Sequence, residues 1–218
     1  MPVTRNRTWV DPVSQPVGPD GEATQYVVRS SFDVRRFTHD GQPVTDLTVT
    51  YRVTGDPRLE TRVAGMLRRL GAGVERVFNA PGHLLPDGSR LHVTVVPAAP
   101  GEAAHLDVTL TDPADDVPAT HHAWPADISE ADLAHEMGHQ IGLRDESGLD
   151  PAAPQRGGTD SLMGDPSAAA DVLVPEPAAT YRPGGLRPRH LQLVGALVGD
   201  AADDRPGGGR RDAPAPVR

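Results

Sequence analysis

The sequence contains no cysteine and no lysine. Without cysteine, neither a disulfide bond nor a thiolate metal site can form, and the redox compartment cannot be inferred from thiols. All 21 basic residues are arginine. The codon usage of a GC-rich genome explains this most simply, and a second hypothesis is selection against lysine modification inside a foreign cell.

Further absences narrow the classes of function. The net charge of -9 argues against a nucleic-acid partner, because phosphate binding requires a basic patch. No apolar run approaches the roughly 18 residues of a membrane span. The first residues lack the apolar segment of a signal peptide. We therefore expect export or delivery as a module of a larger protein or by a specialised route, and otherwise a cytoplasmic protein.

Aromatic residues make up only 4% of the chain, whereas glycine and proline each occur 23 times. This composition predicts a modest core with long ordered loops. A length of 218 residues favours one domain. The sequence pattern predicts a flexible N-terminal arm over residues 1–23, a domain over residues 24–200 and a disordered tail over residues 201–218.

Apolar periodicity predicts an α+β fold with a mixed sheet. Alternating residues indicate strands near 26–35, 47–53, 91–95 and 106–110, and Asp40-Gly41 offers a hairpin turn between the first two. Asp56-Pro57 begins a helix that continues to about Phe78 and backs the sheet. Pro188 begins a last helix, and residues 146–186 lack periodicity.

The segment His135-Glu136-x-x-His139 is the strongest chemical signal in the chain. Residues four apart lie on one face of a helix, so His135 and His139 can bind one metal ion with Glu136 beside them. Ser129 predicts the helix N-cap, with Asp132 closing a capping box. Ile128 and Leu133 form the predicted hydrophobic staple.

A catalytic zinc ion requires a third protein ligand and an open position for water. Gly142 can end the helix through a left-handed turn, which would bring Asp145 back toward the metal. We therefore predict Asp145 as the third ligand, with Glu146 or Asp160 as alternatives.

The extended pattern His135-Glu136-x-x-His139-x-x-Gly142-x-x-Asp145 resembles the metzincin metallopeptidases, and most closely the snapalysin-like branch, whose motif also ends in Asp. Ser161-Leu162-Met163-Gly164 resembles the Met-turn that metzincins carry beneath the metal. The resemblance extends over roughly residues 25 to 200 and implies a zincin domain whose loop-rich lower lobe holds the Met-turn and the C-terminal helix. No tyrosine closely follows Met163, so the partner of the oxyanion stays unassigned.

The resemblance implies a zinc endopeptidase that acts on a protein or peptide. One catalytic zinc would activate water, Glu136 would be the general base, and an extended substrate would pair with the fourth strand, around residues 105–110. Metallopeptidase modules of bacterial polymorphic toxins are similar, so a delivered toxin with a cognate inhibitor or immunity protein is a further hypothesis. We expect a monomer.

Two other classes of function remain open from the sequence. One is a zinc-containing module that binds peptides without catalysis, and the other is a zinc hydrolase acting on a different bond. Calcium binding by Asp112, Asp115 and Asp116 is conceivable but lacks a recognisable loop pattern. Two neighbouring histidines, His121 and His122, are expected to lie exposed in a loop, and Tyr181 to pack.

Overall fold

The structure is a computed structural model that describes residues 2–11, 26–115, 119–146, 161–164 and 185–199. These residues form an α+β fold with one mixed sheet. The strands are β1 (Val3–Asp11), β2 (Tyr26–His39), β3 (Gln42–Gly55), β4 (Arg90–Pro97), β5 (Leu106–Thr111) and β6 (Ala123–Pro125). The helices are α1 (Glu60–Val77), α2 (Glu130–Gln140) and α3 (Pro188–Gly199).

Strand β3 is the centre of the sheet. It pairs antiparallel with β2, parallel with β4, and parallel with β5 at its C-terminal end. The predicted hairpin between β2 and β3 is confirmed. Its turn places Asp40 at φ 51° and Gly41 at φ 76°, the positive values that a two-residue turn between twisted strands requires.

The N-terminal segment differs from the prediction of a flexible arm. Residues Val3–Asp11 pair antiparallel with Tyr26–Val34 and form β1. The sequence did not predict this strand, because main-chain pairing with β2 defines it and leaves no signal in the residues themselves. Residues 2–4 are exposed, so the sequence shows no period there.

The fourth predicted strand, β5, is present but is not a free edge. Its residues Thr109–Thr111 pair in parallel with β6, and the Thr109 N–H donates to the His122 carbonyl at 2.8 Å. Strand β6 therefore occupies this side of β5 along Thr109–Thr111, where the predicted pairing with an extended substrate has no free main-chain edge. Three residues are too few to show alternation, which is why the sequence did not reveal β6.

The core lies between the sheet and helices α1 and α2. Trp124, Phe32 and Phe78 are among its largest fully buried side chains. Helix α1 starts one turn later than predicted, because Pro57–Leu59 form a 3-10 turn capped by Asp56. Its Gly73 meets α2 so closely that a β-carbon there would lie 2.7 Å from the Glu130 carbonyl oxygen.

Among the described residues, no helix combines the length and the apolarity needed to cross a lipid bilayer.

Candidate metal centre

The start of α2 is built as the sequence predicts. Ser129 is the N-cap, and its hydroxyl accepts a hydrogen bond from the Asp132 N–H at 3.1 Å. The same hydroxyl donates to Asp132 Oδ2 at 2.7 Å, so the box closes between the two side chains. Ile128 and Leu133 are both buried, as the predicted staple requires. The boundary of the helix is therefore set locally.

The end of α2 turns the chain back toward the helix. Gly142 has φ 95°, its N–H donates to the His139 carbonyl at 3.0 Å, and the Leu143 N–H donates to the Gly138 carbonyl at 2.9 Å. These two bonds define the glycine-terminated helix end that we predicted. A β-carbon on Gly142 would also lie 2.5 Å from Leu197 Cδ1.

This reversal brings Asp145 to the two histidines. Asp145 Oδ1 lies 3.1 Å from His135 Nε2 and 3.5 Å from His139 Nε2. Ligands about 2.05 Å from a tetrahedral ion lie about 3.3 Å from one another. Among the described residues, these three form the one group of His, Asp or Glu with metal-ligand spacing. Their spacing therefore fits a tetrahedral cation.

The remaining ring nitrogens orient the two imidazoles. His135 Nδ1 lies 2.8 Å from the Leu162 carbonyl, and His139 Nδ1 lies 3.0 Å from the Leu143 carbonyl. A carbonyl only accepts, so each Nδ1 carries a proton, and in the neutral imidazole each Nε2 has a lone pair. Both lone pairs are thereby available to a metal ion, as histidine ligands require.

The local electrostatics also favour a cation at this point. Burial lowers the pKa of His135, but the hydrogen bond and negative charge of Asp145 outweigh it and raise the pKa to about 9. A positive charge is thus stabilised between the carboxylate and the imidazoles. A metal ion supplies such a charge when it replaces the proton.

Glu136 follows His135 on α2 and is only 7% exposed. Its Oε2 lies 4.0 Å from Nδ1 of His121, a residue that the sequence predicted to be exposed. That prediction was wrong, because the His121 ring is fully buried against α2, with its centroid 6.0 Å from that of His139. Burial and the nearby His139 and His122 lower the pKa of His121 to about 3.

Glu146 is not a substitute ligand. Its buried carboxylate accepts hydrogen bonds from Ser161 Oγ, from Arg189 Nε and Nη2, and from His190 Nε2 at 2.9 Å. Burial raises its pKa, but these donors outweigh burial and hold the pKa well below the usual range. Glu146 therefore joins the segment after α2 to α3.

The segment Ser161–Gly164 packs against α2 beside His135. The Met163 carbonyl accepts from the Glu146 N–H at 2.8 Å, while the Leu162 carbonyl orients His135. A β-carbon on Gly138 would lie 2.4 Å from Met163 Sδ, so the thioether packs directly against α2. Met163 thus contacts α2 at Gly138, and its assignment to a Met-turn stays a prediction.

The structure thus brings together His135, Glu136, His139 and Asp145, with Met163 packed against α2. Spacing along the chain did not reveal the burial of His121, nor the role of Glu146 in joining the segment after α2 to α3. No local signal identifies either, because both depend on contacts between distant parts of the chain. Asp160, Tyr181 and Asp116 lie outside the described residues.

No protein-family model matches the chain, and no curated protein or solved structure does so either. The resemblance to metzincins rests on the motif residues alone, and the family stays a prediction. Delivery as a toxin, a cognate inhibitor and the monomeric state stay predictions as well.

Proposed function

We propose that this protein is a zinc-dependent endopeptidase. The observation that carries the proposal is the convergence of His135 Nε2 and His139 Nε2 on one oxygen of Asp145, at distances suited to a tetrahedral ion. Two nitrogen donors and one carboxylate form a ligand set typical of zinc enzymes. Three protein ligands leave a fourth position open, whereas a purely structural zinc site uses four.

Zinc held by these three residues would supply Lewis acidity and a water molecule activated near neutral pH. The Nδ1 hydrogen bonds of both histidines to backbone carbonyls fix the ring orientation before the metal binds. Such partners also raise the basicity of the ligands. The chain therefore contributes a preorganised site at the C-terminal half of α2.

Glu136 is the proposed general base. It is the next residue after His135, so its carboxylate leaves α2 beside the metal-binding face. It would accept the proton of the attacking water and then transfer that proton to the leaving amine. No side chain becomes covalently attached to the substrate. Its low exposure keeps the carboxylate away from bulk solvent, where proton transfer would be less directed.

The decisive experiment measures zinc content and cleavage of a generic unfolded protein for wild type and Glu136→Ala. We expect one zinc per chain in both and a loss of about 10²-fold or more in turnover for the variant. Glu130→Ala is a matched control, because Glu130 lies in the first turn of the same helix and pairs with Arg76.

The outcomes separate the competing functions. Zinc in wild type without cleavage of any protein would favour a peptide-binding module, and turnover of small esters alone would favour a different hydrolase. Absence of zinc after exposure to the metal would overturn the proposal. Equal loss of activity in Glu130→Ala would remove the specific role given to Glu136.

A further inference from the structure

The tip of one turn points a histidine into the protein beside the proposed base. Thr120 and Ala123 close this turn, with the Thr120 N–H donating to the Ala123 carbonyl at 2.9 Å. The Ala123 N–H also donates to Thr120 Oγ1 at 3.1 Å. His121 and His122 occupy the tip. The turn is further fixed to β5 through the Thr109–His122 bond.

The two histidines face different surroundings. His122 is partly exposed and its Nδ1 lies 3.2 Å from the Asp107 carbonyl. The His121 side chain is fully buried, and its Nδ1 faces Glu136 Oε2 at 4.0 Å. The turn thus directs the His121 ring toward Glu136 and leaves the His122 ring partly exposed beside β5.

Neither ring nitrogen of His121 has a hydrogen-bond partner among the described residues. The Arg29 backbone and the Gln140 side chain also lie near the ring and raise its pKa, so they compete with Glu136 for its two nitrogens. Buried polar atoms nearly always have a partner, so an exception calls for an explanation. If this ring only filled space, an apolar side chain would do so without the free-energy cost of burying two unpaired nitrogens.

We propose that His121 is a positioning residue for Glu136, whose Oε2 it holds by donating its Nδ1–H. The inference rests on the proposed function of Glu136 as the base. A shift of about 1 Å brings the two atoms to a normal hydrogen-bond distance. With one oxygen held, the other carboxylate oxygen stays directed at the attacking water, and rotation of the side chain no longer competes with proton transfer.

The kinetic experiment compares His121→Leu, His121→Asn and the neighbouring control His122→Asn. We expect His121→Leu to keep its zinc and its KM within about threefold, while kcat falls by roughly 10- to 100-fold, as for other residues that orient a site. Asparagine retains a donor and should recover part of kcat. Unchanged kcat in folded, zinc-loaded His121→Leu would overturn the proposal.

A second measurement does not depend on activity. Nitrogen-15 resonances of the imidazole rings report which nitrogen carries the proton. We expect the Nδ1–H tautomer for His121 in zinc-loaded protein, with a resonance that moves in Glu136→Ala and stays in Glu130→Ala. An Nε2–H tautomer, or a resonance insensitive to Glu136→Ala, would overturn the inference. If wild type cleaves nothing, the proposed function fails, yet this spectrum still tests the contact.

Discussion

Asp145 and Glu146 are adjacent carboxylates in very different surroundings. Asp145 faces Nε2 of two imidazoles, which can bind either a proton or a metal ion. Glu146 faces a guanidinium, an imidazole and a hydroxyl. Both are buried to a similar degree, with exposures of 7% and 5%. Burial alone therefore does not separate a metal ligand from a structural acid.

The partners make the difference. Around Glu146 the protein supplies its own cation, Arg189, so the charge is compensated without a metal. Around Asp145 the contacts given by the structure are both to histidines, and a full positive charge must come from a proton or a metal ion. The contacts of Glu146 would thus stabilise the fold, whereas Asp145 and the two histidines would bind the ion. Each of the following variants tests that division.

Glu146→Ala should have the largest effect on the fold. Removing one partner of a buried ion pair leaves the other uncompensated, which typically destabilises a protein by about 3–5 kcal/mol. Denaturant unfolding of the metal-free protein measures this loss in the free energy of unfolding. Asp145→Ala is the matched control and should lower that stability less, because His135 can lose its proton whereas Arg189 keeps its charge. Equal losses for the two variants would contradict the division between a structural and a metal-binding carboxylate.

Asp145→Ala should have the larger effect on zinc. Losing one of three ligands should weaken zinc binding by at least about 100-fold, more than the 10- to 100-fold typical of residues behind the ligands. Competition with a chelator gives the affinity. Glu146→Gln should remain within about tenfold of wild type. If Asp145→Ala binds zinc as tightly as wild type, the third ligand lies elsewhere.

The features predicted correctly are those that residues close together in the sequence determine. The cap at Ser129, the reversal at Gly142 and the spacing of His135 and His139 all act within one helix and its ends, and each is found in the structure. The approach of Asp145 to the two histidines depends on only three further residues after Gly142. That is why the candidate site could be predicted from its motif.

Contacts between distant parts of the chain could not be predicted from the sequence. Val3 and Thr4 at the start of β1 are exposed, β6 has three residues, and Glu146 binds Arg189, which lies 43 residues further along the chain. None of these leaves a periodic or spaced signal. His121 shows the same limit, since its burial results from the docking of a turn against α2. Predictions failed where main-chain pairing or side-chain contacts join separate parts of the chain.

The pH dependence of stability sharpens the account of Glu146. Its pKa is held below the unfolded value of about 4.3, so it stabilises the fold above that pH and this contribution is lost as pH falls below it. Glu146→Gln should therefore be less stable than wild type by about 1.5–3 kcal/mol at pH 7, with a gap that narrows below about pH 4. Unfolding at several pH values measures the gap. A gap that widens in acid would contradict this assignment.

Met163→Leu should have the smallest effect. The carbonyls of Leu162 and Met163 and the hydroxyl of Ser161, not the thioether, supply the contacts to His135 and Glu146. A Leu side chain of similar volume should destabilise by less than about 1.5 kcal/mol and leave the zinc content unchanged. Met66→Leu, in the core far along the chain, is the control for the substitution itself. Loss of zinc in Met163→Leu alone would show that close packing of the sulfur against Gly138 is itself needed to hold the metal-binding helix in place.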